Sequence, residues 1–169
     1  MYKSSRDTGY CPADYHRFNS LKHITFQTIL DYGSGCCMLF EWLKRSGLKF
    51  EYVAYDRRED ALSLCECPTY TNIPNMLFDV VCLFATYDHV KSTPIEEWKN
   101  TYLETIRQAK EYSRKHLIFT GIKDTIPWYT DWGRFSKQEL ISFCEQLNLK
   151  ILMIDEETEP TEYIFICEI

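Results

Sequence analysis

The stretch Thr28-Ile-Leu-Asp-Tyr-Gly-Ser-Gly-Cys-Cys-Met-Leu-Phe-Glu-Trp-Leu43 constrains the fold more than any other part of the chain. A short apolar run reaches the acidic Asp31. A turn with Gly33, Ser34 and Gly35 follows, and then a helical apolar pattern through Cys37, Met38, Phe40, Trp42 and Leu43. This order reads as strand, glycine loop, helix. Glycines suit a loop whose backbone a ligand must approach, because no Cβ stands in the way. N–H groups at the start of the following helix are then expected to face that ligand.

The rest of the chain repeats the alternation. Pro12 opens a leading helix with Tyr15, Phe18, Leu21 and Ile24 toward a core, and a first strand covers about Thr25–Asp31. A second strand is expected over Lys49–Tyr55, ending at Asp56, and a short helix starts at Arg57. Residues 65–76 hold two prolines and admit only a short strand near Thr69–Ile73. Leu77–Phe84 is nearly continuous apolar sequence, as in a central parallel strand buried on both faces. Thr93-Pro94 opens a long helix to about Tyr112, and His116–Thr120 forms a strand stopped by Gly121. Lys110, Arg114, Lys115 and His116 are read as a solvated helix C-terminus. Ser136 and Glu139 form a capping box for a further helix. Two last strands, Leu149–Ile154 and Glu162–Ile169, are joined by too few residues for a helical crossover, so they are expected to be antiparallel.

The expected fold is therefore α/β: a three-layer sandwich with helices on both faces of a mostly parallel twisted sheet that ends in an antiparallel hairpin. One domain is expected over 1–169, with 1–24 as an N-terminal helix or lid and 25–169 as the core. The net charge of −6 provides no general attraction for nucleic acid or an anionic membrane. Eight cysteines show no Cys-x-x-Cys pair, and Cys82, Cys144 and Cys167 lie in apolar patterns. Free buried thiols, no metal and a reducing cytoplasm are the expectations, and no run approaches membrane-spanning length.

On these residues the chain resembles the class I S-adenosylmethionine-dependent methyltransferases over nearly its whole length. Asp31-Tyr32-Gly33-Ser34-Gly35-Cys36-Cys37 resembles the family's acidic-x-Gly-x-Gly-x-Gly motif, with Cys37 in place of the third glycine. Asp56 stands where the family has an acid for the ribose hydroxyls. Phe78-Asp79-Val80-Val81 is similar to the family's fourth-strand pattern, and Thr86-Tyr87-Asp88-His89-Val90 to the histidine-bearing segment after it. Tyr10-Cys-Pro-Ala-Asp-Tyr15 is similar to a segment ahead of the first strand in small bacterial members. The resemblance implies S-adenosylmethionine as cofactor, held by Asp31, Gly33, Ser34, Gly35, Cys37, Asp56 and Arg57. It implies methyl transfer with His89 and Asp88 as catalytic candidates.

Each of these residues also has a plainer reading. The glycines serve a structural turn, Asp56 caps a helix, and His89 packs over the sheet edge. Tyr10, Tyr15, Trp128 and Trp132 either border an acceptor pocket or simply cover the core. The acceptor is expected to be a small molecule or a protein, with a partner chain as one source of recognition; neither nucleic acid nor membrane is expected. A nicotinamide-dependent oxidoreductase is the alternative enzyme, though Met38 stands where its fingerprint requires glycine. A non-catalytic methyltransferase-like binding subunit is the alternative from another class.

Overall fold

The computed structural model describes the backbone of residues 12–84, 93–125 and 133–169, with side chains from His16 onward within those segments. Helix α1 (Pro12–Asn19) runs into a 3-10 turn (Ser20–His23). Then follow β1 (Thr28–Tyr32), α2 (Met38–Ser46), β2 (Glu51–Tyr55), α3 (Glu59–Leu62), β3 (Thr69–Tyr70) and β4 (Phe78–Leu83). The second half holds α4 (Ile95–Lys110), β5 (Ser113–Ile122), α5 (Lys137–Gln146), β6 (Lys150–Asp155) and β7 (Glu162–Glu168). The strands form one seven-stranded sheet in the order β3-β2-β1-β4-β5-β7-β6. β1 to β5 are parallel, and β7 lies antiparallel between β5 and β6. Among the described residues no helix is long and apolar enough to cross a membrane.

Alternation along the strands divides the core. Leu30, Tyr32, Val81 and Leu83 pack with Trp98, Tyr102 and Ile106 of α4 and Leu140 and Phe143 of α5. Ile29, Val80 and Cys82 pack on the opposite face with Phe18 of α1, Leu39, Trp42 and Leu43 of α2, and Leu62 of α3. Every residue of β4 is buried, as its apolar pattern, broken only by Asp79, requires. The capping box is present: Ser136 Oγ accepts from the Glu139 N–H at 3.2 Å, and Glu139 Oε2 accepts from the Ser136 N–H at 2.6 Å. The buried Lys123, just beyond β5, donates from Nζ to the carbonyls of Glu156 (2.6 Å), Glu159 (3.1 Å) and Pro160 (3.2 Å), which fastens the β6–β7 turn.

Three expectations change. β1 begins at Thr28, not Thr25. β5 starts at Ser113 and continues through Gly121 to Ile122. Gly121 does not stop the strand; it is where α5 presses onto it, since a Cβ there would lie 2.5 Å from Leu140 Cδ1. Arg114, Lys115 and His116 consequently belong to β5 and not to a helix end.

Arg114 Nε and Lys115 Nζ lie 2.8 and 2.9 Å from the fully buried carboxylate of Asp79. Asp79 Oδ2 also accepts from the N–H groups of Gln27 (2.7 Å) and Thr28 (3.2 Å). Burial alone would raise its pKa. The hydrogen bonds from Arg114, Lys115, Gln27 and Thr28 outweigh that and hold it well below the usual carboxylate range. Its contribution to stability is therefore complete above the unfolded carboxylate pKa and is lost as pH falls toward the folded one. Asp79→Ala strands the two backbone donors at the start of β1 and is expected to lower the unfolding free energy by about 2–3 kcal/mol in urea titrations at neutral pH. Arg114→Ala, which removes a half-exposed partner while Lys115 remains, is expected to cost less than about 1 kcal/mol.

Candidate functional site

The loop after β1 is built from left-handed residues: Gly33 (φ 80°), Gly35 (φ 53°) and Cys37 (φ 60°). Its N–H groups turn inward. Those of Gly33 and Ser34 donate to the Tyr55 carbonyl at 2.7 and 2.9 Å, and that of Cys37 donates to the Ser34 carbonyl at 2.9 Å. The Gly35 N–H donates to Asp56 Oδ2 at 2.9 Å. The loop is thus stapled to the end of β2, and these loop donors are satisfied inside the protein. Beside Gly35 the space stays open: a Cβ there would meet nothing within 4 Å among the described residues.

Two acids flank the loop. Asp31 pairs in register with Ala54 and Cys82 in the middle of the sheet and is 4% exposed. It accepts a hydrogen bond from the Tyr52 hydroxyl. Burial pushes its pKa up, the Tyr52 bond pulls it back, and the Asp56 charge adds to the rise, leaving it at about 7. Asp56 is also buried. Its Oδ1 accepts from the Arg58 N–H at 2.9 Å and from Arg58 Nε at 3.3 Å. It does not cap α3, which starts after Arg58; it closes an Asx turn instead.

A cavity of about 660 Å³ opens beside this corner, between Tyr32, Tyr55 and Arg57 on the strand ends and Glu97, Thr101 and Glu104 of α4. An adjoining space of about 390 Å³ shares Tyr32 and Tyr55 and reaches Asn72 and Tyr112. The smaller space opens where the β3–β4 connection, residues 71–77, carries no helix. Asp56 adjoins the larger space through its chain neighbours Tyr55 and Arg57, which line it. Tyr32 and Tyr55 meet edge to face, 4.8 Å between centroids. Burial and the neighbouring Tyr55 raise the Tyr32 pKa to about 12, so the Tyr32 ring is a neutral phenol around neutral pH.

The sequence matches no protein-family model and no curated protein. Solved structures do match. A putative O-methyltransferase from Nostoc punctiforme aligns over 93% of this chain at TM-score 0.70 and 10% identity. S-adenosylmethionine-dependent methyltransferases from Clostridium acetobutylicum (TM-score 0.65, 10% identity, 97% of this chain) and Aquifex aeolicus (0.62, 18%, 99%) align as well. The chain has the class I S-adenosylmethionine-dependent methyltransferase fold. It spans 94% of the Clostridium and Aquifex proteins but only 56% of the Nostoc one, so it spans little more than half of the larger methyltransferases it matches.

Within the methyltransferase fold, the residues expected to hold a cofactor come together. Gly33, Ser34, Gly35 and Asp56 form one hydrogen-bonded corner at the end of β2, Asp31 lies just before it bonded to Tyr52, and Arg57 lines the adjoining cavity. Sequence reasoning overlooked Tyr32 and Tyr55 as cavity walls; the available signal was an aromatic beside the acid at the end of each strand. The catalytic candidates Asp88 and His89 and the acceptor candidates Tyr10, Trp128 and Trp132 lie outside the described residues. Tyr15 falls in α1, with its side chain outside them.

Cys37 departs from expectation. It forms a disulfide with Cys65, with Cα atoms 5.6 Å apart. No local pattern marks this pairing, because the loop after β1 and the segment after α3 become neighbours only when the parallel strands align. Cys37 can therefore offer a ligand only its backbone. Cysteine usage also no longer argues for a reducing compartment. Cys82, Cys144 and Cys167 are buried thiols, as their apolar context indicated. Burial, then the Asp31 charge, pushes the Cys67 thiol up to about 11.

Asp31 sets a pH dependence. Its folded pKa of about 7 lies above the unfolded carboxylate value, so the native state holds a proton that the unfolded chain has lost. Stability should therefore fall as pH rises from about 4 to 7 through this group. Asp31→Asn is expected to be more stable than the wild type at pH 8, by about 2–4 kcal/mol, with the difference vanishing near pH 4. Thermal or urea unfolding of both proteins across that range checks it.

Proposed function

We propose that the protein binds S-adenosylmethionine and transfers its methyl group to a small-molecule or protein acceptor. The observation that carries this reading is the direction of the loop's hydrogen bonds. A pyrophosphate needs outward N–H groups. Here the N–H groups of Gly33, Ser34, Gly35 and Cys37 are satisfied inside the protein. What the corner offers is acceptors and negative charge, which suit an ammonium and ribose hydroxyls and disfavour a dinucleotide.

Asp31 is the partner for the ammonium. Its carboxylate is held near neutrality by burial, and a cation beside it would draw the proton off. Asp56 keeps acceptor capacity beyond its bonds to Gly35 and Arg58 and is the partner for the ribose. Arg57 with Tyr55 and Tyr32 supplies a cationic and aromatic wall for the adenine. Bound there, the cofactor supplies a methyl on a sulfonium, an electrophile that needs in-line approach more than activation. The chain's own work is then to align the acceptor and take up its proton. His89 is proposed as the base, with Asp88 beside it, and Tyr10, Tyr15, Trp128 and Trp132 as the acceptor border.

Calorimetry at pH 8 is expected to show one S-adenosylhomocysteine bound per chain and no response to NADH. Asp56→Asn should weaken binding about tenfold, a loss of about 1.4 kcal/mol. Affinity should rise between pH 6 and pH 8 as Asp31 ionises, and Asp31→Asn should abolish the rise. Failure of the wild type to bind either S-adenosylmethionine or S-adenosylhomocysteine overturns the reading, and binding of NADH would favour an oxidoreductase.

A further inference from the structure

The disulfide at the glycine loop has a third sulfur packed against it. Sγ of Cys67 lies 3.6 Å from Sγ of Cys37, and the sulfurs of Cys37, Cys65 and Cys67 all fall within 4.8 Å of one another. Methyl transfer uses none of these sulfurs, and a disulfide needs only two. The local chain is arranged to present all three. Cys65 and Cys67 flank Glu66 in the irregular segment between α3 and β3, with both sulfurs turned toward Cys37. Glu66 points away: its carboxylate is exposed and lies 3.8 Å from Lys44 Nζ. Cys37 comes from the opposite side, at the N-cap of α2.

We propose that in the reduced protein Cys37, Cys65 and Cys67 form a three-thiolate site for one Zn²⁺. Sulfurs bound tetrahedrally at about 2.3 Å from zinc stand roughly 3.8 Å apart, and the Cys37–Cys67 edge is already 3.6 Å. The bridge must first open. A dithiol donates two electrons and two protons to the Cys37–Cys65 bond, which breaks to two thiols as the donor closes to its own disulfide. The ion then takes the three sulfurs and releases their three protons to solvent, and a water fills the fourth position. The ion would tie the glycine loop to the segment after α3 in reducing conditions, as the disulfide does in oxidising ones. This inference does not rest on the methyltransferase reading, and its readout is metal content.

The test is metal uptake by the full chain after reduction with a dithiol and anaerobic desalting. Reduced wild type is expected to retain one Zn²⁺ per chain, the oxidised protein none. Co²⁺ as a probe should give tetrahedral absorption with thiolate-to-metal charge-transfer bands. Cys67→Ser should bind Zn²⁺ at least about tenfold more weakly and lose charge-transfer intensity, while still forming the Cys37–Cys65 disulfide, which reports that it has folded. Reduced wild type that takes up no Zn²⁺, or a Cys67→Ser variant that binds it as tightly as wild type, overturns the proposal.

Discussion

The structure depends on a carboxylate far from the candidate site. Asp79 is wholly buried at the start of β4 and collects the N–H groups that begin β1 together with two cations from β5. An ionised carboxylate in that position is tolerable only because each of these partners offsets its lost hydration. The result is that the three central strands start in fixed register. β1 has only five residues, so fixing its start also fixes the point at its other end where the glycine loop begins. A slip of one residue would send Asp31 to the α4 face and Tyr32 to the α2 face, and the corner would not exist.

At that other end the same economy of backbone groups decides what can bind. The Tyr55 carbonyl and the Asp56 carboxylate absorb the loop's donors, so the end of β2 shapes the loop after β1. Asp56 also raises the Asp31 pKa, although it is not the largest influence; burial is. The two acids therefore differ. One is solvated by hydrogen bonds from Gly35 and Arg58, while the other has, among the described residues, a single tyrosine hydroxyl. Of the pair, Asp31 has more to gain from an incoming cation.

Much of this was legible in the sequence, for identifiable reasons. The sheet, its closing antiparallel hairpin and the α5 capping box follow from periodicity, loop length and two residues, Ser136 and Glu139, all of which are local signals. The corner around the glycine loop was legible because Asp31, Gly33, Gly35 and Asp56 sit at strand ends, where chemistry-bearing residues stand out from apolar runs. What was not legible is long-range. Gly121 reads as a strand stop until Leu140 is seen to need its space. Arg114 and Lys115 read as a helix end until Asp79 is seen beneath them. The direction of the loop N–H groups could not be read either, because their acceptors lie on the neighbouring strand.

Cys37 shows how such a long-range term reverses a local judgement. By itself a cysteine at φ 60° is a flaw in a glycine motif, with a left-handed backbone that costs about 1–2 kcal/mol for a residue with a Cβ. Its bridge to Cys65 closes a loop with a sequence separation of 28, which restricts the unfolded chain by about 3–4 kcal/mol on the entropic account of disulfides. The bridge exceeds the strain, so the substitution stabilises the folded loop as long as Cys65 is present. The third glycine position and the residue after α3 are in this respect one feature. Losing the bridge with no metal in its place would leave the strain of Cys37 without compensation where the glycine loop meets the end of β2.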